Sequence, residues 1–175
     1  MKILAFGASS SKKSINKKLA SHAASMVQNG DIEILDLNDF ELPLFSEDKE
    51  EELGHPQLAK EFLNKISNAD GLIISFAEHN GSYTAAYKNI FDWASRIDPK
   101  VYQNKPAIFL SASPGPGGAS STLKSAETSA KFWGADLQAT LSVPSFYTVF
   151  DIEAGKLKEE DLRAKLQRTV EQLSQ

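Results

Sequence analysis

Lys2-Ile3-Leu4-Ala5-Phe6-Gly7-Ala8-Ser9-Ser10-Ser11-Lys12-Lys13-Ser14-Ile15-Asn16 is the stretch on which the fold turns. Its first five residues read as a short buried strand, and they give way directly to small residues. Ile15, Leu19, Ala23, Met26 and Val27 then recur on one face while Lys17, Lys18 and Gln28 lie off it, which predicts a helix from Ser14 to Asn29. The first N–H groups of such a helix have no internal partner and open towards the loop. An anion fits there. The helix dipole, the backbone N–H groups and the hydroxyls of Ser9, Ser11 and Ser14 can satisfy the outer oxygens of a phosphate monoester, with Lys12 or Lys13 adding charge. The same residues also suit a plain turn in which Ser14 caps the helix and the other serines face water. The loop has neither the G-x-G-x-x-G of dinucleotide sites nor the G-x-x-x-x-G-K-[ST] of triphosphate cradles, so a monophosphate is the better-matched ligand.

Working outward, four more apolar runs read as strands: Ile32 to Leu37, Gly71 to Phe76, Ala107 to Ala112 and Leu137 to Val143. Helical patterns separate them. His55-Pro56 opens one whose apolar face is Leu58, Phe62 and Ile66. Ala86, Ile90, Trp93, Ala94 and Ile97 mark the next, Ala119 to Trp133 a weaker one that stops at Gly134, and Leu162, Leu166, Val170 and Leu173 a closing one. Strands alternating with helices must be parallel and joined by right-handed crossovers. The expected fold is therefore an α/β three-layer sandwich around a five-stranded parallel sheet of order 2-1-3-4-5, formed by residues 1–175 as one domain. Its ligand belongs beyond the carboxyl ends of the strands, at the switch point between the first and third. The acidic segment Ser46 to Glu52 reads as a solvated surface loop.

Composition narrows the function. A net charge of −4 offers no broad cationic field, which argues against nucleic acid and anionic lipid as partners. The absence of cysteine removes disulfides, thiolate catalysis and zinc-thiolate sites. No run approaches membrane-spanning length and the apolar N-terminal run is too short for a signal peptide, so a cytoplasmic protein is expected.

The loop after the third strand is Ala77-Glu78-His79-Asn80-Gly81-Ser82, followed by Tyr83-Thr84-Ala85-Ala86-Tyr87-Lys88-Asn89-Ile90-Phe91-Asp92-Trp93. The loop after the fourth is Ser111-Ala112-Ser113-Pro114-Gly115-Pro116-Gly117-Gly118-Ala119, stiff yet free of bulk, so a flat ring can approach it closely. Glu78 reads as structural, a carboxylate in a turn before a helix that caps local N–H groups. Trp93, at helical spacing with Ile90 and Ile97, reads as core or subunit contact.

These three loops resemble the NADPH-dependent FMN reductases, flavodoxin-like proteins that include quinone, azo-dye and chromate reductases. Ser9, Ser11, Ser14 and Asn16 align with the family's G-S-x-R-x-x-S-x-N, with Ala8 where a Gly is usual and Ser11 at the frequent Arg position. Glu78, Asn80, Ser82, Lys88, Asn89, Asp92 and Trp93 match its T-P-E-Y-N-x-S-x-P-G-x-L-K-N-A-I-D-W segment, with Ala77, His79 and Ala85 as departures. The fourth-strand loop fits its S-x-x-G-x-x-G-G. The resemblance implies non-covalent FMN held by Ser9, Ser11, Ser14, Ile15 and Asn16 at the phosphate side. Ala77, Glu78, His79, Asn80, Gly81, Ser113, Gly115, Gly117 and Gly118 would then face the ring. His79 serves as a backbone donor with an exposed ring, or as a proton relay or substrate contact. The implied activity passes hydride from NADPH or NADH to the flavin and then to a quinone-like or other small acceptor, with no catalytic side chain and no metal. A homodimer, or a tetramer, is implied as well, and the apolar loop Phe40 to Phe45 reads as covered core or as interface. The aromatics of Val143 to Asp151 are expected over the site mouth or in a dimer seam. The alternatives are a flavodoxin-like electron carrier or flavin-binding protein that does not oxidise NAD(P)H, and a binding module without cofactor.

Overall fold

The apolar N-terminal run forms β1 (Lys2–Ala8), buried from Ile3 to Ala8 because helices cover both faces of its sheet. A computed structural model describes residues 1–174, with side chains to Leu173. The other elements are α1 (Ile15–Ser25), β2 (Asp31–Leu35), α2 (Glu47–Leu53), α3 (Gln57–Ser67), β3 (Gly71–Phe76), α4 (Ala85–Ile97), β4 (Lys105–Ala112) and α5 (Ser120–Ser129). After them come β5 (Ala135–Val143), α6 (Phe146–Val149), β6 (Phe150–Asp151), β7 (Lys156–Leu157) and α7 (Glu160–Glu171), with 3₁₀ turns at Leu37–Phe40 and Gln172–Ser174.

The main sheet runs β2-β1-β3-β4-β5 with every pair parallel, which is the expected flavodoxin-like order. Strand alternation splits the core into two layers. Leu4, Phe6, Leu72, Ile74 and Phe109 face α3, α4 and α5, burying Phe62, Ile90 and Leu123. Ile3, Ala5, Ile73, Ile108 and Leu110 face α1 and α7, burying Leu19, Ala23, Leu166 and Val170. Helices that cross from one face to the other reverse the strand order between β1 and β3, so the loops after these strands part there.

Several local expectations are corrected. The acidic Ser46 to Glu52 segment is not a loop but α2: Ser46 Oγ accepts from Lys49 N at 3.1 Å, Glu47, Asp48 and Glu50 favour the positive dipole end, and Gly54 stops the helix at φ 65°. It is solvated all the same, with no buried residue. The first helix is shorter than Ser14 to Asn29, since Ser14 is its cap and Met26 its C-cap. The second strand ends at Leu35, where Asp36 caps the 3₁₀ turn that takes Leu37. Ala119 to Trp133 is helical only over α5. The antiparallel β6–β7 hairpin was not foreseen in the sequence. Trp93 is wholly buried, its Nε1 donating to Pro43 O at 2.7 Å, which makes it core that anchors the apolar loop. In that loop Phe40 is buried and Leu44 is 80% exposed, so one end is core and the other is free.

Candidate functional site

Two tethers bring the loops together at the carboxyl edge of the sheet. Thr84 caps α4 by accepting from Tyr87 N at 3.2 Å, and its hydroxyl donates to Ala8 O at 2.8 Å, joining the first and third loops. Asn16 joins the first and fourth: Nδ2 donates to Ala112 O at 3.1 Å, while Oδ1 accepts from Ala112 N at 2.9 Å and from the Ser75 hydroxyl at 2.7 Å. β1 continues through Gly7 and Ala8, which pair with Ser75 and Phe76. This explains Ala8: it is a paired, buried strand residue and needs no glycine freedom. The glycine requirement falls on Gly7, where a Cβ would stand 2.7 Å from Lys17 Cα and 2.8 Å from Asn16 C.

Beyond these tethers lies an open cleft of about 330 Å³. Of the residues assigned to the site from sequence, Ser9, Ser11, Ser14, Ile15, Asn16, Ala77, Glu78, His79 and Ser113 line it. Asn80 and Gly81 do not; they form the exposed tip of a tight turn, with φ 53° and 77°, bridged by His79 and Ser82. Gly115 and Gly117 lie outside the lining, with nothing within 4 Å of an added Cβ. Gly118 is a buried strut whose carbonyl accepts from Ser111 Oγ at 2.6 Å and Ser142 Oγ at 2.9 Å.

The polar groups of the cleft divide into occupied and available ones. Ser14 Oγ accepts from Lys17 N and Ser9 Oγ from Ser11 N, both at 3.1 Å, so each hydroxyl proton remains for a ligand oxygen. Asn16 Oδ1 is fully engaged by partners across the sheet, and one Nδ2 N–H is held by Ala112 O. Glu78 does cap a helix, but the distant α5: its Oε2 accepts from Thr122 N at 2.8 Å. The His79 N–H donates to Ser82 O at 2.9 Å, so the backbone donor expected there is spent within the turn, while the exposed His79 borders the cleft. Lys13, Ala112, Pro114 and Tyr147 also line the cleft. Lys13 was legible as charge near a helix start, and Tyr147, one of the aromatics expected over the mouth or in a dimer seam, reaches the rim from beyond β5. Ser145 N donates to Gly115 O at 2.8 Å and Phe146 N to Ser113 O at 3.0 Å, which pins α6 to the fourth-strand loop. Phe146 and Phe150 stack at 4.5 Å in the core beneath, leaving Tyr147 59% exposed. No group of side chains among the described residues has the makings of a metal site, and no described helix is long and apolar enough to cross a membrane.

A parallel sheet of this order, with a hydroxyl-bearing helix start and two turns meeting at its switch point, places the protein in the flavodoxin-like class. Within it, the chain belongs to the NADPH-dependent FMN reductase family, whose profile matches residues 1–146. It is 34% identical over 116 residues to an NAD(P)H-dependent FMN reductase of Pseudomonas aeruginosa, a match covering 66% of this chain and 61% of that protein. It is also 34% identical over 117 residues to a 2-hydroxy-1,4-benzoquinone reductase of a Burkholderia species, covering 66% of this chain and 62% of that one. The matches thus span about three fifths of these relatives' length. The solved structure of a flavoenzyme NAD(P)H:(acceptor) oxidoreductase from Paracoccus denitrificans shares the fold, with a TM-score of 0.76 at 24% identity over 98% of this chain and 94% of that one.

Proposed function

We propose that this protein is an FMN-dependent NAD(P)H oxidoreductase acting on a quinone-like or other small acceptor. The observation that carries the reading is that Ser9 and Ser14, each with a free hydroxyl proton at the start of α1, share one cleft with His79 and Ser113. The donor set suits FMN. The hydroxyls, the α1 dipole and Lys13 match a phosphate monoester, while Ala77, Ser113 and Pro114 offer small or flat surfaces to a ring. Bound FMN would supply the redox chemistry, taking hydride from the nicotinamide and delivering it to the acceptor.

The side chains would have holding roles in this scheme. Ser9, Ser11, Ser14 and Lys13 hold the phosphate, and Ile15 and Ser113 flank the chain that joins it to the ring. His79 and Tyr147 border the mouth, where substrates enter in turn. Asn16 and Thr84 act behind them by fixing the strand ends, and Asn80, Gly81, Gly115, Gly117 and Gly118 shape the two turns. No side chain is assigned acid-base work. A homodimer is part of the proposal, supported by the exposed Leu44 on a loop anchored by Trp93, as is a cytoplasmic home, supported by the cysteine-free composition.

The test is FMN titration followed by anaerobic stopped-flow reduction with NADPH and NADH. The expected result is a flavin spectrum perturbed by binding and bleached directly by the nicotinamide. Binding without direct reduction would instead identify an electron carrier, and the absence of binding would remove the flavin reading altogether.

A further inference from the structure

Lys12 and Lys13 are adjacent in the chain, but Ser14 divides them. Lys13 borders the cleft described above, whereas Lys12 opens onto a second concavity of about 350 Å³ shared with Ser14, Lys17, Lys18, Ser21 and Gly155. Ser14, Lys18 and Ser21 follow one another along one face of α1 at helical spacing, and Gly155 of the β6–β7 turn lines the same hollow. Lys17 is bound to Asp36 at 2.6 Å, but Lys12 and Lys18 have no carboxylate within ion-pair distance among the described residues. Lys156 follows Gly155, and together with Arg163 of α7 it exerts a positive field that reaches the buried His22. The chain carries net charge −4, and Lys2, Lys49, Lys65, Lys88 and Lys124 are all matched to carboxylates. Lys12 and Lys18 thus bring two unmatched positive charges to one hollow.

The inference rests on the flavin reading. A nicotinamide stacked on a flavin ring between the His79 turn and the Ser113 loop leaves the rest of its dinucleotide to run out of the cleft. The cleft and the second concavity share Ser14, so a dinucleotide that leaves the cleft past the phosphate loop would reach that concavity. The far end of the dinucleotide is the adenosine, which carries a phosphate monoester in NADPH and a hydroxyl in NADH. We infer that Lys12, Lys18 and Ser21 hold the 2′-phosphate of NADPH and so make the enzyme prefer NADPH to NADH. Lysine suits the task, since its ammonium is a compact, strongly hydrated point charge that meets an exposed phosphate without fixed fork geometry.

The experiment is calorimetric titration with 2′,5′-ADP and 5′-AMP of the unmodified protein, Lys18→Ala and the double variant Lys12→Ala, Lys18→Ala, each with and without FMN. In the unmodified protein 2′,5′-ADP is expected to bind about tenfold tighter than 5′-AMP, the advantage vanishing in the double variant and shrinking with added salt. In turnover, Lys18→Ala should lower kcat/KM for NADPH about tenfold, with NADH and FMN affinity little changed. Equal binding of the two nucleotides by the unmodified protein would overturn the inference. So would a parallel loss with NADPH and NADH, which would put the lysines on the pyrophosphate common to both. Because the nucleotide titration is also read without flavin, failure to bind FMN would defeat the flavin reading alone.

Discussion

Asn16 bonds both backbone groups of Ala112, donating to its carbonyl at 3.1 Å and accepting from its N–H at 2.9 Å. The amide thus takes the place that a neighbouring strand's peptide would occupy, while its Oδ1 also receives the Ser75 hydroxyl at 2.7 Å. Replacing Asn16 with Ala leaves these buried partners unpaired and should cost roughly 2–4 kcal/mol. Urea unfolding measures this directly, and FMN affinity should fall as well, because the strand ends bearing the site lose their tie. Unchanged unfolding would show that water replaces the amide.

Gly7 and Ala8 should both lose stability on exchange of their side chains, Gly7 the more. Gly7→Ala drives a methyl to within 2.7 Å of Lys17 Cα in the backbone of α1. It should destabilise by about 1–3 kcal/mol, as overpacking does. Ala8→Gly removes one buried methyl from a paired strand, and about 0.5–1 kcal/mol is the expected cost. Thermal midpoints of the two variants rank them. The reverse order would contradict the close approach of α1 to β1.

Ser9→Ala with Ser14→Ala tests the phosphate side of the cleft. The double variant loses two hydroxyl donors and one helix cap, so FMN affinity should drop by at least about tenfold. Loss of the Ser14 cap should lower stability by about 1 kcal/mol. Fluorescence titration reads the first effect and urea unfolding the second. Wild-type affinity in this variant would move the phosphate elsewhere.

His22 predicts a pH dependence. Its ring is buried edge-on to Phe150, Nε2 has no partner, and desolvation, followed by the fields of Arg163 and Lys156, holds its pKa below the ordinary 6.5. Well above pH 6.5 the ring is neutral in both the folded and unfolded chains, so it adds no slope there. Below that pH the unfolded chain takes a proton that the folded one refuses. Stability therefore falls with acidification by up to about 1.4 kcal/mol per pH unit, until the folded pKa is reached. His22→Leu should remove that component, as the difference between the two proteins in urea unfolding from pH 8 to 5. Identical slopes would mean that the buried ring does not titrate apart from the unfolded chain.

Much of the architecture was legible along the chain. The five apolar runs and the helical faces between them are local patterns, and chirality leaves few ways to wind them, so the strand order followed. Ser14 as a cap was legible for the same reason. The α2 helix could have been read too, since Ser46 and Gly54 bracket it, but its acidic surface concealed them. Where local pattern and burial part, prediction stopped: Ala8 looked like a loop residue because only pairing with Phe76 makes it strand. Glu78 looked like a cap for its own helix, whereas it reaches α5 across the sheet edge.

For this protein the chain alone determined the α/β class, the position of the switch point and the three loops that meet there, because periodicity, small residues and helix starts act over a few neighbours. Only the tertiary structure decided which atoms remain free in the site. It engaged Asn16 with Ala112 and Ser75, spent the His79 N–H within its turn, brought Tyr147 to the rim and sent Lys12 and Lys13 to opposite sides of Ser14. Hydrogen-bond partners far apart in sequence are chosen by packing, and packing exists only once the sheet has formed.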